Sequence, residues 1–332
     1  MTMKPRERVF TALEHREPDR VPLFEIWIED DMVPFFGQTD LQSTYVHLGL
    51  DCVPIPFRNP FGSSADGVDA WGRIWKKGQY AEGAIHTEKE LLKYSPALNR
   101  VKDFFDPYEV DRVQKLYPDY CLIFGSHIAP FTAGYMAMGL ERFFIQMVTN
   151  PSFVRKLLDD RTEWCMAMFE EAQNYGIDIG ILGEDAGHKS GPMVSEEMWR
   201  EFVFPLHRRI IDELDVPLIW HSDGDFQSFL PVAVEAGFIG IHALEPDVGM
   251  DLGIIKQKFG DKLVLVGNVD TQVLFKSDLA AVHREVERCM QQAAPGGGYM
   301  FASCNSIFPG MNPAAVREMY RYAAEIGEYK GA

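Results

Sequence analysis

Short, continuously apolar runs recur along the chain, and most are bounded by glycine, proline or charged residues. Such runs are typical of parallel strands that are buried on both faces, whereas half-exposed strands alternate apolar and polar residues. The pattern predicts eight strands, over residues 20–28, 50–57, 120–127, 177–185, 216–224, 237–245, 262–270 and 297–305.

The segments between these runs have the spacing of amphipathic helices. Residues 150–176 are predicted to form a helix that ends at Gly176, and residues 195–214 a helix that begins at Ser195. Further helices are predicted over 277–294 and 312–329. Eight strands with intervening helices predict an α/β fold, namely a (β/α)₈ TIM barrel that forms a single domain over residues 1–332.

One connection is much longer than the others. Residues 58–119 follow the second predicted strand and contain the aromatic stretch "DAWGRIWKKGQY", which predicts a hairpin. Loops that follow barrel strands lie at the carboxyl ends of the strands, where TIM-barrel chemistry takes place. We therefore expect 58–119 to be an insertion at the catalytic face.

Charge and composition narrow the class of protein. The 332 residues carry a net charge of −17, with 49 acidic against 32 basic residues, which argues against binding to nucleic acid or to an anionic membrane. No apolar run is long enough to span a bilayer, and the first residues lack the apolar core of a secretory signal. The five scattered cysteines fit a cytoplasmic protein without disulfides. The oligomeric state stays open, with a homodimer as one alternative.

Ionisable residues collect at the predicted strand ends. His221 and Asp223 are two positions apart on the fifth strand, so both can face the barrel mouth. Glu184, at the end of the fourth strand, and Cys304, at the end of the eighth, can complete a set of nitrogen, oxygen and sulfur donors that suits Zn²⁺. We predict a metal site of His221, Asp223, Cys304 and Glu184. Of these, Glu184, His221 and Asp223 are the predicted catalytic residues.

Each of these residues also has an ordinary structural interpretation. An H-x-D pair is more often a hydrogen-bonded couple than a metal site, and a cysteine at a strand end is often a small buried apolar residue. Asp185 is expected to cap the helix that follows it. His127 and His242 are interpreted as core or rim histidines, and His207 as a helix-surface residue.

Four segments resemble the uroporphyrinogen decarboxylase superfamily, which also contains zinc- and corrinoid-dependent methyltransferases. They are "RERVFTALEHREPDRVP" at the start, "DAWGRIWK" in the insertion, "GNVD" after the seventh strand and "SCNSIFPGMNPAAVREM" at the eighth. The decarboxylase branch acts on a substrate with many carboxylates and is rich in arginine after the first strand. Here "FEIWIEDDMVPFF" has acids and no arginine, and near the mouth only Arg58 and Arg73 offset them. The resemblance therefore favours the methyltransferase branch.

Members of that branch bind zinc through an H-x-C pair after the fifth strand and a cysteine after the eighth. His221 and Cys304 match this pattern, whereas Asp223 stands in place of the first cysteine. Members that demethylate methoxylated aromatics are similar in using two acids and a cysteine, which would select Glu184, Asp223 and Cys304 and leave His221 outside. Both ligand sets stay open at this point.

The resemblance implies a zinc-dependent methyltransferase that moves a methyl group from a methoxylated, aromatic substrate to cob(I)alamin. The cobalamin would be carried by a partner corrinoid protein that docks on the open barrel face. The alternatives are a cofactor-free decarboxylase of the uroporphyrinogen type and a methylcobalamin:thiol methyltransferase. A zinc-free binding barrel, or an enzyme with Cys304 as nucleophile and His221 as base, also stays open.

Overall fold

The computed structural model of the chain describes residues 2–58, 66–95, 98–126 and 129–329. Its strands are β1 Cys52–Pro54, β2 Gly67–Val68, β3 Arg73–Lys76, β4 Gln79–Gly83, β5 Cys121–Ser126, β6 Ile179–Gly183, β7 Gly187–His188, β8 Gly191–Pro192, β9 Leu218–Ser222, β10 Gly240–Ala243, β11 Val264–Val269 and β12 Tyr299–Ser303. Its α-helices are α1 Pro5–Leu13, α2 Leu41–His47, α3 Glu88–Lys93, α4 Pro107–Leu116, α5 Pro130–Met138, α6 Leu140–Thr149, α7 Pro151–Asn174, α8 Glu196–Phe202, α9 Phe204–Glu213, α10 Leu230–Ala236, α11 Leu252–Phe259, α12 Leu279–Ala293 and α13 Pro313–Ile326.

Seven strands form the central parallel sheet, in the order β1-β5-β6-β9-β10-β11-β12. Residues 20–28, predicted as the first strand, form isolated bridges instead of a regular ladder. The backbone N–H of Phe24 donates to Phe301 on β12, and the N–H of Asp51, just before β1, donates to Leu23. This segment therefore joins the two edge strands and closes the sheet. The predicted α/β fold with a TIM-barrel-like architecture is confirmed.

The other seven predicted strands are confirmed, each with its ends trimmed by one to three residues. The predicted helix over 195–214 is two helices, α8 and α9. Pro205 lies in the first turn of α9, where its missing N–H and its ring prevent the ladder of α8 from continuing. Ser195 accepts a hydrogen bond from the N–H of Met198, as expected of a helix cap.

The long connection contains the predicted hairpin. β3 pairs with both β2 and β4 in an antiparallel sheet of three strands. The buried guanidinium of Arg161, on α7, donates to the carbonyl oxygens of Trp71 at 3.0 Å and Tyr94 at 3.2 Å. These two bonds fasten the turn between β2 and β3, and the end of α3, to one barrel helix.

Every residue of β6, β9, β10, β11 and β12 is buried. This is the outcome expected for strands that are covered by side chains inside the barrel and by helices outside it. Polar side chains can therefore reach solvent mainly at the strand ends. Within the described residues, no helix combines the length and the apolar composition needed to cross a membrane.

Candidate metal centre

Three potential ligands converge at the carboxyl ends of two adjacent strands. Asp185 follows β6, His221 belongs to β9 and Asp223 follows β9, and one ligand atom from each lies within 4.8 Å of the other two. Gly183 on β6 pairs with His221, so the two strands end side by side. The backbone N–H of Asp223 also donates to Oδ1 of Asp185 at 3.1 Å, which links the two loops.

Two glycines allow these loops to approach so closely. A Cβ atom on Gly187 would lie 2.4 Å from the carbonyl oxygen of Asp223, and a Cβ atom on Gly224 would lie 2.6 Å from the carbonyl carbon of Gly187. Gly224 also has a φ of 75°, which residues with a side chain rarely adopt. The absence of both side chains lets the loop that carries Asp185 touch the loop that carries Asp223.

The imidazole of His221 has a different environment at each nitrogen. Nδ1 lies 2.8 Å from Nδ1 of His242, and Nε2 of His242 lies 3.0 Å from the carbonyl oxygen of Ser303. Burial lowers the pKa of both imidazoles, although the negative charge of Asp185 opposes the shift at His221. Nε2 of His221 lies 3.7 Å from Oδ1 of Asp223. That separation is too long for a hydrogen bond, but it suits two donors that each lie about 2.1 Å from a shared cation.

The carboxylate of Asp223 is also held by the loop that follows β12. Nδ2 of Asn305 donates to Oδ1 of Asp223 at 2.8 Å, and Oδ1 of Asn305 accepts from the N–H of Ser306, which defines how the amide is turned. Glu245 lies nearby and accepts from the N–H of Gly224 at 3.3 Å. Burial raises the pKa of Glu245 to about 7, and the charge of Asp223 adds to this rise.

Glu184, predicted as a ligand, lies outside this group of three. Its carboxylate accepts the N–H groups of Phe131 at 3.1 Å and Thr132 at 2.6 Å, and it lies 3.2 Å from Nε2 of His207. Successive residues at a strand end point to opposite sides, so Asp185 enters the group and Glu184 enters the core. The structure thus brings Asp185, expected as a helix cap, into the group of three, and it places Glu184, expected as a ligand, at the start of α5. His207, expected at a helix surface, is buried.

Cys304, the other predicted ligand, also lies outside the group of three. Its N–H donates to the carbonyl oxygen of Val269, and its side chain is buried beside the backbone of Thr271. Burial raises the pKa of this thiol. The structure thus shows Cys304 as a buried thiol outside the group of three, and its role as a metal ligand stays a prediction. His127 lies outside the described residues.

Comparison with protein families shows which family the chain belongs to. Residues 69–326, well over half of the chain, match the family described as Uroporphyrinogen decarboxylase (URO-D). The chain belongs to the uroporphyrinogen decarboxylase family. The resemblance inferred from four short segments thus extends over most of the barrel.

This member of the uroporphyrinogen decarboxylase family is similar to proteins with two different activities. The methylated-thiol–coenzyme M methyltransferase of Methanosarcina mazei is 28% identical over 185 residues, which are 55% of this chain and 48% of that protein. The uroporphyrinogen decarboxylase of Pseudomonas aeruginosa is 26% identical over 217 residues, which are 61% of this chain and 59% of that protein. The chain thus spans only about half to three-fifths of the length of these two relatives.

Two solved structures have the same architecture. A methyltransferase from Methanosarcina mazei superposes with a TM-score of 0.77 at 18% identity, over 97% of this chain and 99% of that one. A B12-independent methionine synthase from Shewanella sp. W3-18-1, in complex with selenomethionine, gives a TM-score of 0.56 at 12% identity, over 93% of each chain. At these identities the likeness establishes the fold.

The arginines near the barrel mouth bear on whether the chain could bind a polyanionic substrate. A cavity of about 410 Å³ opens at the carboxyl ends of residues 20–28 and β1 and is lined by Arg58 as well as by Trp27 and Phe57. Arg73, the second arginine expected near the mouth, is paired with Asp69 at 2.6 Å. One of the two cations that a polyanionic substrate would need is therefore already neutralised.

Three residues around the centre were not assigned to it from the sequence: Asp185, His242 and Tyr135. Asp185 could have been found by considering both neighbours at the end of the fourth strand. His242 is the register partner of His221 on the next strand, so strand alignment is its only signal. Tyr135 lies on α5, where burial raises the pKa of its phenol and the charge of Asp185 adds to the rise. No local sequence pattern marks it.

Proposed function

We propose that the chain is the methyl-transferring subunit of a corrinoid-linked methyltransferase. In this proposal Asp185, His221 and Asp223 hold a divalent metal, with zinc as the first candidate. The observation that carries the proposal is the convergence of one imidazole nitrogen and two carboxylates from adjacent strand ends, within 4.8 Å of one another. Three protein donors of these types suit zinc and leave a coordination position for a substrate atom.

A metal held there would supply a Lewis acid to the atom that gives or receives the methyl group. The residues of the chain supply orientation and proton control around that atom. Asn305 orients the carboxylate of Asp223 through its bond to Oδ1. Glu245 accepts from the N–H of Gly224, next to Asp223, and is therefore placed to exchange a proton with a group at the centre. Tyr135, with its raised pKa, keeps its phenolic proton.

The proposed substrate is a small thiol or methylated thiol. This choice is supported by the similarity to the methylated-thiol–coenzyme M methyltransferase over 55% of the chain. The proposed methyl carrier is the cobalamin of a separate corrinoid protein, which would approach the open carboxyl ends of the strands. A thiol acceptor releases a proton and a thiolate leaving group takes one up, which is a role that Glu245 can fill.

A methoxylated substrate is the second candidate, and one structural observation favours it. The three converging donors include no thiolate, and Cys304 lies outside their group. A donor set of two carboxylates and one imidazole is harder than a thiolate set and increases the affinity of a bound cation for oxygen. Such a site would polarise an ether oxygen, the substrate atom that the resemblance to O-demethylating methyltransferases implies.

Metal titration tests the proposed centre directly. Purified protein is titrated with Zn²⁺ against a chromophoric chelator, in the wild type and in four single variants. We expect about one ion per wild-type chain, and a dissociation constant raised at least tenfold in Asp185→Asn and in Asp223→Asn. Glu184→Gln is the matched control, because it changes the adjacent carboxylate in the same way, and it should bind zinc as the wild type does. Cys304→Ser should also retain zinc.

The reverse result would show that the ligand set is the one expected from the sequence. That result is loss of zinc in Glu184→Gln and Cys304→Ser, with zinc retained in Asp185→Asn. Failure of the wild type to bind zinc, cobalt or manganese would remove the metal centre and with it the proposed function.

The substrate class is tested by absorbance of the cobalamin. Methylcobalamin is mixed with the protein and a panel of thiols, and cob(I)alamin with methylated thiols and methoxyarenes. Loss of methylcobalamin with a thiol, or its formation with a methylated thiol, supports the first candidate. Formation of methylcobalamin with a methoxyarene supports the second. A metal-loaded protein that is inactive with both panels, but decarboxylates a porphyrinogen polyacid, would overturn the proposal.

A further inference from the structure

A second imidazole stands behind the proposed ligand His221. His221 on β9 and His242 on β10 are register partners in the parallel sheet, and their two Nδ1 atoms are 2.8 Å apart. The other nitrogen of His242 lies 3.0 Å from the carbonyl oxygen of Ser303 at the end of β12. Both rings are almost fully buried, at 3% and 0% exposure. The three groups form a continuous hydrogen-bonded line that ends at the proposed metal centre.

The positions of the hydrogen atoms along this line follow from the acceptor at its far end. A carbonyl oxygen only accepts, so Nε2 of His242 must carry a hydrogen. Burial disfavours a positive charge on His242, and among the described residues its hydrogen-bond partners are His221 and the carbonyl oxygen of Ser303, so Nδ1 of His242 holds a lone pair and accepts. Nδ1 of His221 then carries the hydrogen of the shared bond. Nε2 of His221 lies on the side of Asp223, whose Oδ1 is 3.7 Å away, and it would present its lone pair to a cation bound there.

The opposite arrangement is disfavoured by charge. If His242 carried a hydrogen on both nitrogens, its positive charge would be buried in the barrel, and Nε2 of His221 would carry a hydrogen that blocks a metal. A cation bound between Asp185, His221 and Asp223 would repel that charge further. The geometry therefore matches one tautomer of each ring.

We propose that His242 is a positioning residue, which holds His221 in the tautomer and ring orientation whose Nε2 lone pair points at the carboxylates of Asp185 and Asp223. This inference rests on the proposed metal centre, and it adds a residue that contacts no substrate. Groups that accept the second N–H of a metal-binding histidine typically change metal affinity about 10- to 100-fold when they are removed. Here that acceptor is another imidazole, which is in turn held by the backbone of β12.

Two substitutions of His242 separate positioning from packing. His242→Asn retains an amide oxygen close to the place of Nδ1, so it can still accept from Nδ1 of His221. His242→Leu fills space but accepts nothing. His283→Asn, on α12, is the matched control, because it makes the same chemical change in a half-exposed histidine that pairs with Glu318.

Three measurements are made on all four proteins: zinc affinity by chelator competition, the visible spectrum of the Co²⁺-loaded protein, and thermal unfolding in the presence of a metal chelator. We expect His242→Leu to bind zinc about 10- to 100-fold more weakly, with an altered Co²⁺ spectrum. His242→Asn should recover most of the affinity, and His283→Asn should bind as the wild type does. Wild-type affinity and spectrum in His242→Leu would overturn the inference and leave the proposed function intact.

The tautomer itself is measured on the metal-free wild type, by ¹⁵N NMR of the histidine side chains. We expect the spectrum to show a hydrogen on Nδ1 of His221 and, on His242, a hydrogen on Nε2 and a bare Nδ1. A bare Nδ1 on His221, or a hydrogen on Nδ1 of His242, would overturn the inference. This measurement needs no metal and no variant, so it tests the hydrogen-bonded line even if His242→Leu fails to fold.

Discussion

Glu184 and Asp185 show how neighbouring residues of the same chemistry acquire different roles. Glu184 accepts two backbone N–H groups at the start of α5, and Asp185 lies within 4.8 Å of His221 and Asp223. The negative charge of Glu184 is satisfied inside the protein, whereas that of Asp185 is added to the charge of Asp223. An excess of negative charge beside an imidazole lone pair is the electrostatic condition that favours a cation.

Glu25 is a second buried carboxyl group with an unusual environment. It is fully buried, and its Oε2 accepts from the hydroxyl of Tyr320 at 2.6 Å and from the N–H of Ser303 at 3.2 Å. Burial raises the pKa of Glu25 to about 7, and these hydrogen bonds limit the rise. Its proton is therefore held in the folded protein at pH values where the unfolded chain has lost it.

The pH dependence of stability follows from this raised pKa. Below about pH 4.5 the group is protonated in both states, and its contribution to the free energy of unfolding is fully present. As the pH rises towards 7 the unfolded chain ionises first, so the free energy of unfolding falls. Between pH 5 and pH 8 this loss is roughly 2 kcal/mol.

In Glu25→Gln we expect the free energy of unfolding to lack this fall between pH 5 and pH 8. Urea unfolding at pH 5 and pH 8, with a chelator present, should show that the variant loses roughly 2 kcal/mol less than the wild type between the two values. Glu197→Gln, an exposed acid on α8, is the control and should follow the wild type. Equal pH dependence in all three proteins would show that Glu25 is ionised in the folded state throughout.

Among the elements, the inserted sheet of β2, β3 and β4 is attached to α7 through a single buried arginine. Arg161 donates to the carbonyl oxygens of Trp71 and Tyr94 and pairs with Asp160 at 2.8 Å. Burial lowers the pKa of Arg161 to about 10, which leaves it charged at neutral pH. The buried charge of Arg161 is therefore stabilised by the carbonyl oxygens of Trp71 and Tyr94 and by the carboxylate of Asp160.

Replacing Arg161 by methionine tests this attachment. The side-chain stem is retained, but two buried carbonyl groups and Asp160 lose their donor, so we expect a loss of about 2–4 kcal/mol in the free energy of unfolding. Limited proteolysis with mass spectrometry should show faster cleavage within residues 66–95. Arg155→Met, on the exposed side of the same helix, is the control. The attachment is disproved if both variants unfold and are cleaved alike.

At the scale of the whole molecule, residues 20–28 close the barrel between its two edge strands. The buried carboxylate of Asp51 accepts from Arg8 on α1, from Arg20 and from the N–H of Leu23. Asp51 is 1% exposed and Arg8 is 3% exposed. This ion network ties α1 and residues 20–28 to the edge strand β1, where the regular ladder is missing.

We expect Asp51→Asn to lower the free energy of unfolding by about 3 kcal/mol, because Arg20 loses this carboxylate while Arg8 keeps its ion pair with Asp19. Asp119→Asn removes an exposed partner of Lys4 and should leave the free energy of unfolding almost unchanged. Both values are measured by urea unfolding at one pH. A similar small effect in both variants would show that closure depends on apolar packing instead.

Most of the fold could be predicted because both faces of the barrel strands are buried. Continuous apolar runs marked seven strands to within a few residues, and Gly176 and Ser195 marked helix ends. The irregular first segment was missed because its bonds run to residues far along the chain, at β12 and beside β1. The division of 195–214 at Pro205 was missed because apolar periodicity continues across it.

The sequence by itself determined that acids and histidines would stand at the carboxyl ends of barrel strands, since a run of apolar residues must end where the core ends. It also placed His221 and Asp223 on one side of one strand, because side chains alternate with a period of two. Only the tertiary structure decided that Asp185 lies with them, that Glu184 and Cys304 lie outside this group, and that His242 contacts His221. These choices depend on how two loops pass at Gly187 and Gly224 and on which neighbouring strands align, and neither is encoded in local spacing.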